Sequence, residues 1–269
     1  MDTATTPPGY VHGYSEHEVR RLGDQADTLA ELLHTKGFPA GSRVLEVGCG
    51  VGAQTVHLVA ASPGASFVAV DVSEESLARA RARIGAHADV EWLHTDLFQL
   101  PFADAVFDHL FVCFVLEHLP DPRRALVALR RVLKPNGTIT VIEGDHGSAF
   151  FHPGSGYAQA AIDCLIRLQA KAGGDALIGR RLQPLLADAG YREVVVRPRP
   201  VYADQTRPLL VEGFTRNTFI ARVDAVRVDA LAAGLVTRAA WDRGLADLRR
   251  TAEGGTFTYT FFSATGRKS

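Results

Sequence analysis

The 269-residue chain is poor in lysine: Lys36, Lys134, Lys171 and Lys268 are four of 29 basic residues, so arginine carries the positive charge. Thirty Asp and Glu bring the formal net charge to −1. There is no run of like charge and no basic stripe interleaved with aromatics, so a nucleic-acid partner is not expected. Cysteine is scarce as well. Cys49, Cys113 and Cys164 lie far apart with no C-x-x-C spacing, which argues against a disulfide framework or zinc site and fits a reducing cytoplasm. No run of 18 or more apolar residues occurs, so no membrane span is expected. Residues 1–10 are polar and proline-containing, with no apolar core of a signal peptide. The expectation is a cytoplasmic protein, monomeric or homodimeric.

What is present in quantity is apolar residue, 46% of the chain, enough for a continuous core. Residues 1–13, with Pro7, Pro8, Gly9 and Gly13, read as a mobile arm. Ser15 followed by Glu18 reads as a capping box that opens a helix of about 20 residues. Val19, Leu22, Ala26, Leu29 and Leu33 recur along it at core-facing spacing. The chain then alternates. Strands are expected at 43–47, 67–70, 90–94, 109–113 and 138–143, and helices at 54–61, 74–84 and 123–133. That alternation predicts an α/β fold, doubly wound, with a mostly parallel sheet. In the C-terminal third, helices are expected at 157–172 and 179–189 and a strand at 193–197. Two or three helices follow within 207–252, the last with Trp241, Leu245 and Leu248 on its apolar face, and a final strand lies at 256–264. Helices placed between the last two strands predict a cap over the sheet's carboxyl edge.

The segment VLEVGCGVG runs from a strand into a glycine turn at Gly48, Gly50 and Gly52 and then a helix, a layout that lets a ligand approach the backbone. A dinucleotide fingerprint would need glycine at position 53, where this chain has Ala53. Asp71 ends the second strand, where a carboxylate can accept both hydroxyls of a ribose. Asp96 and Leu97 follow the third strand, a second carboxylate beside an apolar neighbour.

In this order VLEVGCGVG, FVAVD, HTDLFQLPF, FVLEHLPDP and LKPNGTITVIE, spanning roughly 40–145, resemble the successive motifs of class I S-adenosylmethionine-dependent methyltransferases. Asn136 departs from the usual glycine, at a turn that Asn tolerates. The resemblance implies a seven-stranded Rossmann-like sheet and S-adenosylmethionine as cofactor. Its methionine part would lie over the glycine turn, its ribose on Asp71 and its adenine near Asp96. The expected cofactor contacts are Tyr14, Gln25, Glu46, Gly48, Gly50, Gln54, Asp71, Val72, Asp96, Leu97 and Phe114. Tyr14 and Gln25 enter because the segment from Tyr14 to Ala26 resembles an arm that folds over the cofactor in some small-molecule members. The implied organisation is an arm and helix at 1–36, a core at 37–206, a helical cap at 207–253 and a last core strand at 254–269.

Methyl transfer from a sulfonium needs alignment first, and a base only if the acceptor keeps its proton. Base candidates are Glu143 and His146 after the fifth strand and His118 after the fourth. A solvated turn at 143–148, and a His118 that caps or packs the following helix, are the competing readings. His152 and Tyr157 are candidate acceptor-pocket residues or plain surface. His146, His152 and Asp145 lack metal-ligand spacing, so no metal is expected. The expected activity is methyl transfer to an N, O or C atom of a small metabolite. The alternatives are cyclisation or lyase chemistry on the same cofactor, an NAD-dependent oxidoreductase, and a non-catalytic binding module.

Overall fold

In the computed structural model, residues 16–34, 36–85 and 89–269 are described, with side chains from Leu22 onward. The expected arm, the Ser15–Glu18 capping box and Tyr14 lie outside these residues or side chains. The chain runs α1 (Glu16–Leu33), β1 (Arg43–Val47), α2 (Ala53–Ala61), β2 (Ser66–Asp71), α3 (Glu74–Ile84), β3 (Val90–His94), β4 (Phe107–Cys113), α4 (Pro122–Val132) and β5 (Leu133–His152). It continues with α5 (Gly156–Lys171), α6 (Leu182–Asp188) and β6 (Arg192–Ala203), then the short α7 (Pro208–Leu210). A π-helix (Val211–Ile220), α8 (Ala221–Ala225), α9 (Arg227–Ala232), α10 (Arg238–Thr251) and β7 (Thr256–Arg267) complete it.

The seven strands form one sheet in the order β3-β2-β1-β4-β5-β7-β6. β1 to β5 pair in parallel, whereas β7 lies antiparallel to both β5 and β6. The order reverses between β1 and β4, and open sheets of this kind bind ligands at that crevice, beyond the strands' carboxyl ends. The α/β fold with a mostly parallel, seven-stranded Rossmann-like sheet is therefore observed as expected.

Local chemistry accounts for the helix boundaries. Ser73 accepts from the Ser76 N–H to open α3, and Asp121 accepts from the Arg124 N–H to open α4, with Pro122 at its first position. Ala26, Leu29 and Leu33 of α1 are buried as their spacing predicts. On α10, Trp241, Leu245 and Leu248 are buried against α5, each worth roughly 1.5–3 kcal/mol of apolar transfer. Asn136 adopts φ 63, the left-handed turn expected of it.

The main difference from expectation lies in β5. Its sequence Glu143-Gly144-Asp145-His146-Gly147-Ser148 has the composition of a turn, yet the strand continues to His152 along β7. The register shifts between Asp145 and Phe150, a bulge pinned by Ser148, whose hydroxyl accepts from Thr260 N–H and donates to Asp145 O. Strand β6 is likewise longer than expected, and in the segment between β6 and β7 the short α7 runs straight into a ten-residue π-helix.

Candidate active site

At the carboxyl edge of β1, the glycine turn adopts φ 69, 53 and 72 at Gly48, Gly50 and Gly52. A Cβ at Gly48 would stand 2.4 Å from Val115 Cγ2, so only glycine lets the turn lie against the loop after β4. Asp71 ties the turn down: its carboxylate accepts from Gly50 N–H at 2.8 Å and from Ser73 N–H at 2.9 Å. Burial nevertheless raises the Asp71 carboxyl above its ordinary value, and those backbone donors oppose the rise. Glu46, two residues before the turn, is buried, and its Oε2 has no hydrogen-bond partner. Burial lifts its carboxyl to about 8, with Asp71 adding to the rise.

The other expected cofactor contacts are spread along the same edge. Val72 is 48% exposed beside Asp71. Asp96 is exposed and caps the turn Leu97–Gln99 by accepting from Phe98 N–H, with Leu97 half-buried behind it. Phe114 takes φ 58, a strained value for an aromatic residue, immediately after β4. Gln54 is engaged elsewhere, its Oε1 2.5 Å from His34 Nε2 at the end of α1. Gln25 is buried and lines a cavity on the neighbouring part of the sheet.

That cavity is walled by aromatic rings: Phe114 after β4, Phe214 and Phe219 from the π-helix, and Tyr259 and Phe261 from β7. The wider turn of the π-helix brings Phe214, Thr218, Phe219 and, one turn on, Arg222 to a single face. His146 projects into it from the β5 bulge, with Nδ1 2.8 Å from the Tyr259 hydroxyl. Glycine at 144 is needed for this arrangement, since a Cβ there would meet that hydroxyl at 2.3 Å. Asp145 fixes the bulge from the other side through two 2.7 Å bonds from Arg180, and it accepts from Gly147 N–H.

Beneath the rings lies a buried polar cluster. Glu117 Oε2 is 3.0 Å from Arg222 Nη2 and also accepts from Gln169 Nε2. Burial opposes its ionisation, but Arg222, with His118 and His146 nearby, holds the Glu117 carboxyl well below the usual carboxylate range. Glu143 behaves oppositely. Burial, reinforced by the Glu117 charge, pushes its carboxyl well up, and its Oε1 accepts from both Val115 N–H and Leu116 N–H.

Of the three base candidates, only His146 lines the cavity among the described residues. Glu143 is fully buried and committed to the loop after β4, so the exposed turn considered for it does not exist. His118 lies with Nε2 3.6 Å from Glu117 Oε1, and the helix cap belongs to Asp121. His152 is exposed at the end of β5 and Tyr157 is 51% exposed, so neither lines the cavity. The sequence reading missed Tyr259, Arg222, Gln169 and Phe214. A signal for Tyr259 existed, because alternation in TFTYTFFSA places Phe257, Tyr259 and Phe261 on one face.

All three cysteines are buried and unpaired. Among the described residues, no cluster of His, Cys, Asp and Glu could hold a metal, and no helix is long and apolar enough to cross a membrane.

Comparison with known proteins places these elements in context. Residues 45–141 match the family model described as "Methyltransferase domain". The chain is 40% identical over 104 residues to a demethylmenaquinone methyltransferase from Clavibacter sepedonicus, covering 39% of this chain and 42% of the other. It is 34% identical over 134 residues to the protein of that name from Staphylococcus aureus, covering 49% and 52%. The chain thus spans about half the length, or less, of these curated relatives. Among solved structures, a Bacillus halodurans chain described as a methyltransferase superposes with a TM-score of 0.56 at 18% identity, covering 89% of this chain and 98% of that one. At that identity the likeness concerns the fold.

Proposed function

Since this chain belongs to the class I S-adenosylmethionine-dependent methyltransferases through the domain at 45–141, we propose that it transfers a methyl group from S-adenosylmethionine to a small-molecule acceptor. The observation that carries this reading is the junction of two features at the sheet's switch point. The glycine turn, tied to Asp71, packs at Gly48 against Val115 after β4, and the neighbouring Phe114 lines the aromatic cavity with His146.

The residues present fit the cofactor. Gly50 has open space where a Cβ would stand, the buried Glu46 Oε2 lacks a hydrogen-bond partner, and the Asp71 carboxylate stands at the turn, accepting from Gly50 N–H. Glu46 suits the ammonium of an amino acid, Asp71 and Val72 the ribose, and Asp96 with Leu97 the adenine. When bound, S-adenosylmethionine supplies a methyl group already activated on sulfonium, so the chain's work is alignment and proton removal.

His146 is the base in this reading. His146 Nδ1 and the Tyr259 hydroxyl are hydrogen-bonded, and this reading takes Nδ1–H as the donor, so that Nε2 carries the lone pair that takes the acceptor's proton. The ionised Glu117 beneath it favours the imidazolium that results. Glu143, whose carboxyl burial pushes up, acts as a post for the loop carrying Phe114 to Leu116. The segment 207–253 serves as the cap on the acceptor side, contributing Phe214, Phe219 and Arg222 around a cavity of about 20 Å³, which must widen to admit an acceptor. The demethylmenaquinone methyltransferase relatives support a small organic acceptor.

The test is incubation with S-adenosylmethionine carrying a deuterated methyl group and a metabolite extract, followed by mass spectrometry. A product heavier by one labelled methyl supports methyl transfer. Consumption of the cofactor without any labelled acceptor contradicts it and points to cyclisation or lyase chemistry.

A further inference from the structure

The sheet face that carries Tyr259 and Phe261 changes character toward its other end. Along β5 and β7 the residues on this face become Thr140 opposite Thr265, with Thr138 and Ser263 beside them. On β6, alternation sets Arg197 and Arg199 on the same face as Val201 and Ala203, which belong to the core. These two arginines are therefore turned over the sheet rather than outward from its edge. Facing them across the sheet are Leu33 and Lys36 at and after the end of α1, Phe38, Leu58 of α2, and Phe111 of β4.

Together these residues bound a groove of about 450 Å³, within the range of clefts that hold small organic molecules. It lies at the opposite end of the strands from the glycine turn. No Asp or Glu is among the described residues that line it, while Lys36, Arg197 and Arg199 are cationic. The two histidines of the lining do not add charge, because burial pushes His34 and His109 below the ordinary imidazole value. One end of the groove is thus mainly apolar, with Lys36 beside it, and the other carries Arg197 and Arg199, with a hydroxyl-lined floor between. From β4 to β6 the floor crosses three strand spacings, about 14 Å at the usual separation.

We propose that this groove binds an elongated organic anion. Its apolar body lies over Leu33, Phe38, Leu58 and Phe111, and its carboxylate, sulfonate or phosphate head meets Arg197 and Arg199. A planar anionic head suits the arginine fork, and the floor hydroxyls supply donors along the way. The site is separate from the one proposed for methyl transfer and does not depend on it.

The probe is 1-anilinonaphthalene-8-sulfonate, an apolar body bearing one anion, followed by its fluorescence on titration with the full chain. Saturable one-to-one binding is expected, with displacement by decanoate but not by decyltrimethylammonium or decanol. Arg197→Glu should weaken both the probe and decanoate about tenfold or more, since it replaces a charge-assisted contact by repulsion. Arg207→Glu, the same charge change at an exposed position away from the groove, should leave both unchanged. Thermal unfolding followed by circular dichroism confirms that the variants are folded. If Arg197→Glu melts early, Arg197→Gln takes its place, with weakening again expected. Equal displacement by the cation or the alcohol overturns the proposal. So does non-saturable binding, or wild-type affinity in a folded Arg197 variant.

Discussion

The Nδ1 atom of His146 lies 2.8 Å from the Tyr259 hydroxyl, joining β5 to β7 across 113 residues of chain. The bond is possible because the β5 bulge turns His146 into the aromatic cavity and because Gly144 leaves room for the tyrosine ring. In the proposed function Nδ1 is held by this bond and Nε2 is the nitrogen assigned as base. His146→Ala should lower kcat roughly 10²–10⁴-fold while leaving S-adenosylhomocysteine affinity nearly unchanged, as expected of a general base. Tyr259→Phe should lower kcat less and shift the acid limb of its pH profile, since the base remains but its orientation loosens. Steady-state kinetics across pH, with calorimetric titration of each variant, checks both.

Glu46 gives a proton-linkage prediction. Its carboxyl is raised to about 8, so it is mostly protonated at pH 7 in the unliganded chain. An ammonium placed beside it favours the carboxylate, so binding should release a proton between pH 6 and about 8. Calorimetry of S-adenosylhomocysteine in buffers of different ionisation enthalpy reads this directly. Glu46→Gln should abolish the buffer dependence. The same variant should be more stable than wild type near pH 8. A raised folded-state value contributes stability below the unfolded value, and this is lost as pH climbs toward 8.

Asp71→Ala should weaken cofactor binding by about 2–3 kcal/mol through lost charge-assisted bonds. Asp104→Ala should not, because Asp104 is exposed and paired with Arg131 on the surface. Asp71 also holds Gly50 N–H, so Asp71→Asn, which keeps an acceptor, should fall between the two. Equal affinities in the alanine variants would remove Asp71 from the binding account.

The Glu117–Arg222 pair is buried on both sides. Arg222→Met leaves a buried carboxylate uncompensated and should cost about 3–5 kcal/mol, whereas the double replacement Glu117→Leu with Arg222→Met should cost much less. Because Glu117 is held well below its ordinary value, its contribution is fully present above the ordinary carboxylate range and is lost progressively as pH falls below it toward the depressed folded-state value. Chemical denaturation at pH 7 and about pH 2 should show a larger loss in wild type than in the double variant.

The parts of the site legible in the sequence are those written locally. The glycine turn, Asp71 and Asp96 each follow a strand by a fixed offset, so reading the strands in order also locates them. Gly144 and Gly147 misled for a physical reason: they resemble turn residues, yet they are there because Tyr259, Arg180 and Leu177 approach too closely for a side chain. The partners of Glu117 were beyond local reading, since Gln169 and Arg222 lie 52 and 105 residues away. The π-helix was illegible as well, because its sequence VEGFTRNTFI carries no marker separating it from an α-helix.

The most direct measurement of the central claim is a calorimetric titration of the purified chain with S-adenosylhomocysteine, run beside one with NAD. The account predicts saturable one-to-one binding of S-adenosylhomocysteine, lost in Asp71→Ala, and no heat from NAD beyond dilution. Binding of NAD with no binding of S-adenosylhomocysteine would contradict it.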